Sequence, residues 1–414
     1  MATNKTDRIL NVPTLRFPGF TEEWENEQIG NICETITDYV AAGSFASLKE
    51  NVLYYQEDNY AQLVRTVDLK NNFTNKDFVF IDKIAYDFLW RVQLTEPNIV
   101  LPNIGANIGE KYYVRPQDLL KNKNVLGPNA ILLRSESNDT HFVYYRLSTR
   151  TYDNEIKKLV GASGQPKFNK TDLKKIKLFM PLMSEQKKIA DFLSLLDERI
   201  SLQSNLIDRL KSLMDGIVVR HWNGVEKKKY CLTNLGEAFS VMNLSKEDLT
   251  EDGKSCIIYG ELFTTYDAII DNVVSHTDKF DRLTLSGNND LLFPASTTVN
   301  AYSLIAPSAI TERGVVLGGD MFGIHISQEH SAEYISLIIN AIYRNKLSKY
   351  AKGSTIIHLH YGDIKNVEVE LPDLKTQLYL VGVVKRLRTK LSIENDYLIK
   401  LNKAKQSLLL AMFI

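Results

Sequence analysis

The sequence predicts an α+β chain built as two tandem α/β domains, each followed by a long helix, with the two helices pairing as a coiled coil. Three observations predict it. Ile189, Leu193, Leu196, Ile200, Ile207, Leu210, Met214 and Ile217 keep strict 4,3 spacing, with Gln203 as the polar member. Leu380, Val384, Leu387, Leu391, Leu398, Leu401 and Leu408 take the matching slots, with Glu394 in place of Gln203, an offset of 191 residues from 203 to 394. A seam held over about four heptads is the mark of a coiled coil, because only 4,3 spacing keeps an apolar edge turned toward a partner helix. The third observation is that the match runs upstream of both seams. Val125-Leu126-Gly127 recurs as Val316-Leu317-Gly318, and Pro181 and Gln186 recur as Pro372 and Gln377.

Taken in order, the chain opens on MATNKTDRILNVP, which has no apolar core of the kind a secretory leader needs. Strand-like runs at 52–55, 78–81, 98–101, 111–114 and 130–133 follow, separated by Asn, Asp, Gly and Pro clusters. An amphipathic helix near 140–150, with a counterpart near 332–346, precedes a last strand in each copy. Asp172, Leu173, Ile176 and Leu178 of that region face Asp363, Ile364, Val367 and Val369 at the same offset. Further upstream, Pro102 matches Pro294, and Ile29-Gly30 best matches Leu235-Gly236, an offset of 206. A net loss of 14 residues in the second copy, from 206 to the 192 between Pro102 and Pro294, accounts for the change. Loops absorb such losses at small entropic cost. The expected layout is 1–182 for the first domain, 183–223 for its helix, 224–373 for the second domain and 374–414 for the second helix. Ser184 suits an N-cap for the first helix after Pro181 has stopped the strand.

Composition bounds the function. An apolar content of 44%, with 17 Phe and 20 Tyr, supports packed cores and excludes a disordered chain. The formal charge is zero, so no global field draws the protein to a polyanion and any such site is local. Cys33, Cys231 and Cys256 are too few for a disulfide framework, which points to a reducing, cytoplasmic setting. Catalytic signatures are missing from the sequence. It has no Asn/Asp-Pro-Pro-aromatic turn for a flipped base and no GxxxxGK[ST] phosphate cradle. Asp373 and Lys375 resemble part of a nuclease motif, but the Pro181 copy lacks the acid. His358-x-His360 has no third ligand nearby and reads as a polar strand face.

Pro13-Thr-Leu-Arg16-Phe17-Pro18-Gly19-Phe20, then Trp24 and Ile29-Gly30-Asn31-Ile32, resembles the opening of type I restriction-modification specificity subunits. Gly161-Ala-Ser-Gly-Gln165-Pro-Lys-Phe168, Asp172-Leu173, Pro181-Leu182 and Glu185-Gln186 through Leu193 to Asp197 is similar to that family's central conserved region. The second copy is worn. Thr376 replaces Glu185, and Glu394 and Lys405 interrupt the seam. The resemblance implies a non-catalytic subunit whose two domains are target recognition domains, each reading one half of an asymmetric bipartite double-stranded DNA target. It further implies that the helices lie antiparallel, relating the domains by a pseudo-two-fold axis and setting the spacer. Two methyltransferase subunits and motor/nuclease subunits are the implied partners, with S-adenosylmethionine, ATP and Mg on them and no cofactor or metal on this chain. The rival class is a two-headed adaptor that binds proteins.

Candidate DNA contacts follow from the chemistry of phosphates and base edges, which need cations, amides and hydroxyls on exposed loops. Between 157 and 188 nine lysines stand against Asp172 and Glu185, an excess of seven in a chain of zero net charge. Lys167 and Lys170 are the members taken as candidate contacts, and Lys346, Lys349 and Lys352 fill the second copy's equivalent stretch. The polar loop after each matched proline is the leading base-reading element. It contributes Asn103, Asn107, Lys111 and Tyr112 in the first copy, and Ser296, Thr297, Thr298, Asn300 and Tyr302 in the second. Ser163 with Gln165, and Ser354 with Thr355, are the candidates at each junction between domain and helix.

Overall fold

A computed structural model describes residues 11–105, 107–160, 166–279 and 281–414. The chain divides into two units, one holding the residues up to Leu202 together with Leu398–Ile414, the other Gln203–Tyr397.

In the first unit an antiparallel sheet runs in the order Thr35–Asp38, Ala130–Arg134, Asn98–Pro102, Tyr112–Val114. Its central strands are apolar on both faces and buried on both, with alternate residues serving two cores. Ile99, Leu101, Ile131 and Leu133 face the helix Thr140–Leu147, through Phe142 and Tyr145, and the long-helix residues Ile189 and Leu193. Val100 and Leu132 face a second sheet, Val79–Ile81, Ala61–Val64, Asn124–Leu126, through Leu63 and Val125. In that second sheet Ala61–Val64 pairs in parallel with Asn124–Leu126.

The second unit repeats the plan. Gly236–Ser240, Met321–Ile326, Asp290–Pro294 and Ser308–Ile310 form the antiparallel sheet. A five-stranded sheet stands beside it, in which Lys254–Ile258 pairs in parallel with Val316–Gly318. The repeated Val-Leu-Gly is thus the same parallel strand in each copy. One alignment read from the sequence is corrected by strand register. Gln28 pairs with Lys177 and Cys231 with Glu368, so Ile29 corresponds to Leu232 at an offset of 203, not to Leu235 at 206. The amide of Ile29 donates to Ile176 and that of Leu232 to Val367, which fixes the equivalence. The apolar-glycine dipeptide was a coincidence of composition three residues away.

The long helices run Met183–Gly224 and Leu374–Ala411, 42 and 38 residues. The first begins one residue before Ser184, whose side chain is exposed inside it; what holds the start is a buried glutamine. Gln186 donates to the Pro181 carbonyl at 2.9 Å and accepts the Asp139 amide at 3.0 Å. Gln377 does the same with Pro372 at 2.8 Å and the Ser331 amide at 2.9 Å. The duplicated Pro and Gln are therefore a staple between the last strand, the short helix and the long helix. Gln186→Leu keeps the volume but strands these buried groups, and the expected loss is about 1–3 kcal/mol in a urea unfolding curve.

Both units show the helices packed antiparallel. In the second unit Met214, Ile217 and Val218 share a core with Leu380, Val381 and Val384. Gln203 donates to the Glu394 carboxylate at 2.5 Å and to its carbonyl at 3.1 Å. In the first unit Ile189 and Leu193 share a core with Leu408 and Met412, and Lys405 meets Asp197 at 2.5 Å. The two interruptions of the worn seam each have a polar partner on the facing helix. The helices also end as core elements. Met412 and Phe413 are buried in the first unit, and Trp222 packs against the second unit's core.

Candidate nucleic-acid interface

Each antiparallel sheet sends one central strand out to a proline, Pro102 or Pro294, which has no N–H to continue the ladder. The chain just beyond is caught by the segment preceding the junction with the long helix. Phe168 donates its amide to the Asn103 carbonyl at 3.1 Å, and Leu359 donates to Ala295 at 2.9 Å. One step outward, Ile104 bridges Lys167 and Ser296 pairs with His358. Two stretches far apart in sequence are thus laced into one ribbon in each unit; in the first both were read as candidate contacts, whereas in the second the partner His358 was read as a polar strand face.

In the second unit the ribbon gains a third edge, because the Lys352 amide donates to the His358 carbonyl at 2.9 Å and the His358 amide to the Lys352 carbonyl at 2.7 Å. Gly353 makes the return possible. It sits at φ +125°, and a Cβ there would lie 2.0 Å from the Ile356 carbonyl oxygen. Ser354 and Thr355 are exposed on that return. Ser163 and Gln165, their counterparts, lie outside the described residues.

The side chains divide into those that build the ribbon and those that face solvent. Asn103 donates to the Phe168 carbonyl at 3.1 Å and is turned inward. Asn107 accepts from Lys70 at 2.9 Å, and the same ammonium reaches Glu110 at 2.7 Å. Tyr112 donates to Glu110, and burial together with that carboxylate pushes its phenol above the ordinary range, so it stays a donor. Lys111 pairs with Asp153 and lies 5.6 Å from the Tyr152 ring centre. Lys170 is bound to Asp38 at 2.8 Å. Asn300 caps the short helix Ala301–Leu304 by accepting the Ser303 amide at 2.8 Å. Thr297 accepts the Val299 amide at 3.3 Å. Lys352 reaches Asp363 at 2.5 Å and holds that carboxyl below its usual range.

Open to solvent are Lys167 and Thr298, and Tyr302, with the Arg344 guanidinium 5.1 Å from its ring centre. Of the lysine run, Lys158 and Lys175 are paired with Glu155 and Asp172, whereas Lys174 and Lys177 join Lys167 as exposed cations. Two ribbon residues carried no weight as DNA contacts in the sequence. His358 and His360 are both exposed there with rings 6.2 Å apart, and alternate spacing on an extended segment was the available signal. Among the described residues no group of three or more His, Cys, Asp or Glu could hold a metal ion.

A family model described as the type I restriction modification DNA specificity domain matches residues 21–212 and again 224–403. The chain belongs to this family. The two matches coincide with the two copies of sheet, ribbon and helix. The chain is 22% identical over 415 residues to the putative type I restriction enzyme MjaX specificity subunit of Methanocaldococcus jannaschii, spanning 94% of this chain and 92% of that protein. It is 20% identical to the MjaVIII specificity subunit of the same organism, over 98% of this chain and 95% of that one. Among solved structures, the type I restriction-modification S subunit from M. genitalium shares the fold at a TM-score of 0.57. Identity there is 16%, with 97% of this chain and 99% of that chain covered. Each specificity domain carries its own ribbon, and among the described residues the exposed ones differ between the two, with Lys167 in one and Thr298, Tyr302, Ser354, Thr355 and the histidine pair in the other.

Proposed function

We propose that the chain is the DNA-specificity subunit of a type I restriction-modification complex, with each domain reading one half of an asymmetric bipartite duplex target. The observation that carries the reading is the duplicated ribbon, one backbone arrangement presenting unlike polar side chains. Ribbons that share a backbone pairing dock in similar ways, and unlike side chains select unlike base edges. The paired helices act as the spacer. Exposed apolar residues along them, among them Leu195, Leu206 and Leu213 on the first and Ile393 and Ile399 on the second, suit docking of methyltransferase subunits. Two such subunits, joined by motor/nuclease subunits, supply S-adenosylmethionine, ATP and Mg and hence the chemistry, in the cytoplasm. No helix among the described residues is long and apolar enough to cross a membrane.

Coexpression with a cognate methyltransferase subunit and mapping of methylated adenines tests this. A split motif is expected; an unsplit motif, or none, overturns the bipartite reading. The phosphate term has its own check. Lys167, Lys174 and Lys177 changed together to Ala should weaken binding of all duplexes alike and lower the slope of log affinity against log salt by about 3, near one per contact.

A further inference from the structure

We infer that the loop 71–76 of the first domain is a second base-reading element, presenting a paired amide edge suited to adenine; this rests on the reading of that domain as a DNA reader. The loop leaves the helix Thr66–Lys70 and was passed over in the sequence. Its backbone is hydrogen-bonded at both ends without being buried. The amide of Phe73 donates to the Asp68 carbonyl at 2.9 Å and that of Asn72 to Leu69 at 3.1 Å, a C-terminal cap with Asn72 and Phe73 both left-handed at φ 47° and 55°. Phe73 reaches back to the core, its ring 6.4 Å from that of Phe78. Arg65 grips buried Asp68 at 2.7 Å and the Asp77 carbonyl at 2.8 Å, clamping both ends.

The clamped loop presents amides. Asn71 Nδ2 donates to Asn75 Oδ1 at 3.0 Å. That bond holds the two amides together and leaves Asn71 Oδ1 as an acceptor and Asn75 Nδ2 as a donor, and among the described residues neither has another partner. An amide acceptor together with an amide donor is what the adenine N6–H and N7 edge in the major groove requires. Lys76 is exposed at the loop's end for a phosphate. Lys70, at its start, holds Asn107 and Glu110 at 2.9 and 2.7 Å, which ties the start of this loop to the post-proline loop.

The second domain shows what the same position looks like without this role. Asp68 bonds the Arg65 amide, and Glu261 bonds the Ile258 amide at 2.9 Å, which aligns the two short helices. The loop after Glu261 carries Asp267 and Asp271, and Arg388 of the second long helix holds them at 3.4 and 2.8 Å. An acidic loop tied to a helix cannot lie against phosphates. The two domains therefore differ in how many elements they read with.

The test uses the full chain in complex with its methyltransferase subunits. Asn71→Ala/Asn75→Ala is expected to relax one position of one half-site, with discrimination there falling about 10- to 100-fold. The other half and the gap should stay as they are. Lys76→Ala should weaken binding of all sequences without altering the motif. An unchanged motif in the double variant, with the unaltered chain giving a split motif, overturns this inference alone. Loss of both half-sites from a variant with an unchanged unfolding curve also overturns it. Absence of a split motif from the unaltered chain removes the DNA reading and this inference together.

Discussion

Arg16→Ala is expected to lower the stability of the first unit by about 3 kcal/mol, seen as a shifted urea midpoint with an unchanged slope. Arg16 holds Glu185 through two bonds of 2.7 Å, and its side chain is 13% exposed against 1% for the glutamate. Truncating the arginine leaves a carboxylate buried at the first turn of the long helix with nothing to neutralise it, a larger cost than the pair's own net contribution. The second copy supplies the control. Thr376 stands where Glu185 does, and it donates its hydroxyl to Asp373 at 2.7 Å, so that helix begins without a buried charge. Adding Glu185→Thr to Arg16→Ala should therefore restore most of the loss. If the double variant is no more stable than the single one, lost packing of the arginine stem, and not the stranded charge, is the cause.

What could be read in advance follows from which forces act locally. The seams, the duplicated Pro and Gln and the repeated Val-Leu-Gly strand were legible, because periodicity and turn chemistry are written along the chain. Strand register was not, and so Ile29 was matched three residues away from its partner Leu232. The strand Ala61–Val64 escaped notice because Gln62, fully buried, breaks its apolar pattern. Residues nominated for DNA were chosen by type, and type does not say what a side chain is already holding. Lys111, Asn107 and Lys170 have the right chemistry but are engaged by Asp153, Lys70 and Asp38. The loop 71–76 left no trace in the comparison of the halves, since its counterpart is acidic and held by Arg388.

Phe413→Ala, two residues past the end of the second long helix, should cost about 3–5 kcal/mol, and its effect should fall on the first unit. Phe413 is 6% exposed, with ring centres 6.1 Å from Trp24 and 5.5 Å from Phe142. Around it, Leu15 donates its amide to the Ala411 carbonyl at 2.9 Å and buried Arg146 donates to the Ile414 carbonyl at 2.8 Å. Burial lowers the Arg146 guanidinium to about 10, so a tail that swings away without the Phe413 ring, taking the Ile414 carbonyl with it, leaves a cation that the surroundings tolerate poorly. A helix that starts in one unit thus completes the core of the other, and sequence position is a poor guide to which domain a residue stabilises. Hydrogen exchange separates the alternatives. In Phe413→Ala the amides of Ile131 and Leu133 should lose protection while those of Leu291 and Phe293 keep theirs. Trp222→Ala, which removes the ring facing Tyr343 at 6.0 Å, should reverse the pattern. Equal loss in both sheets from either variant would mean that the two cores unfold as one.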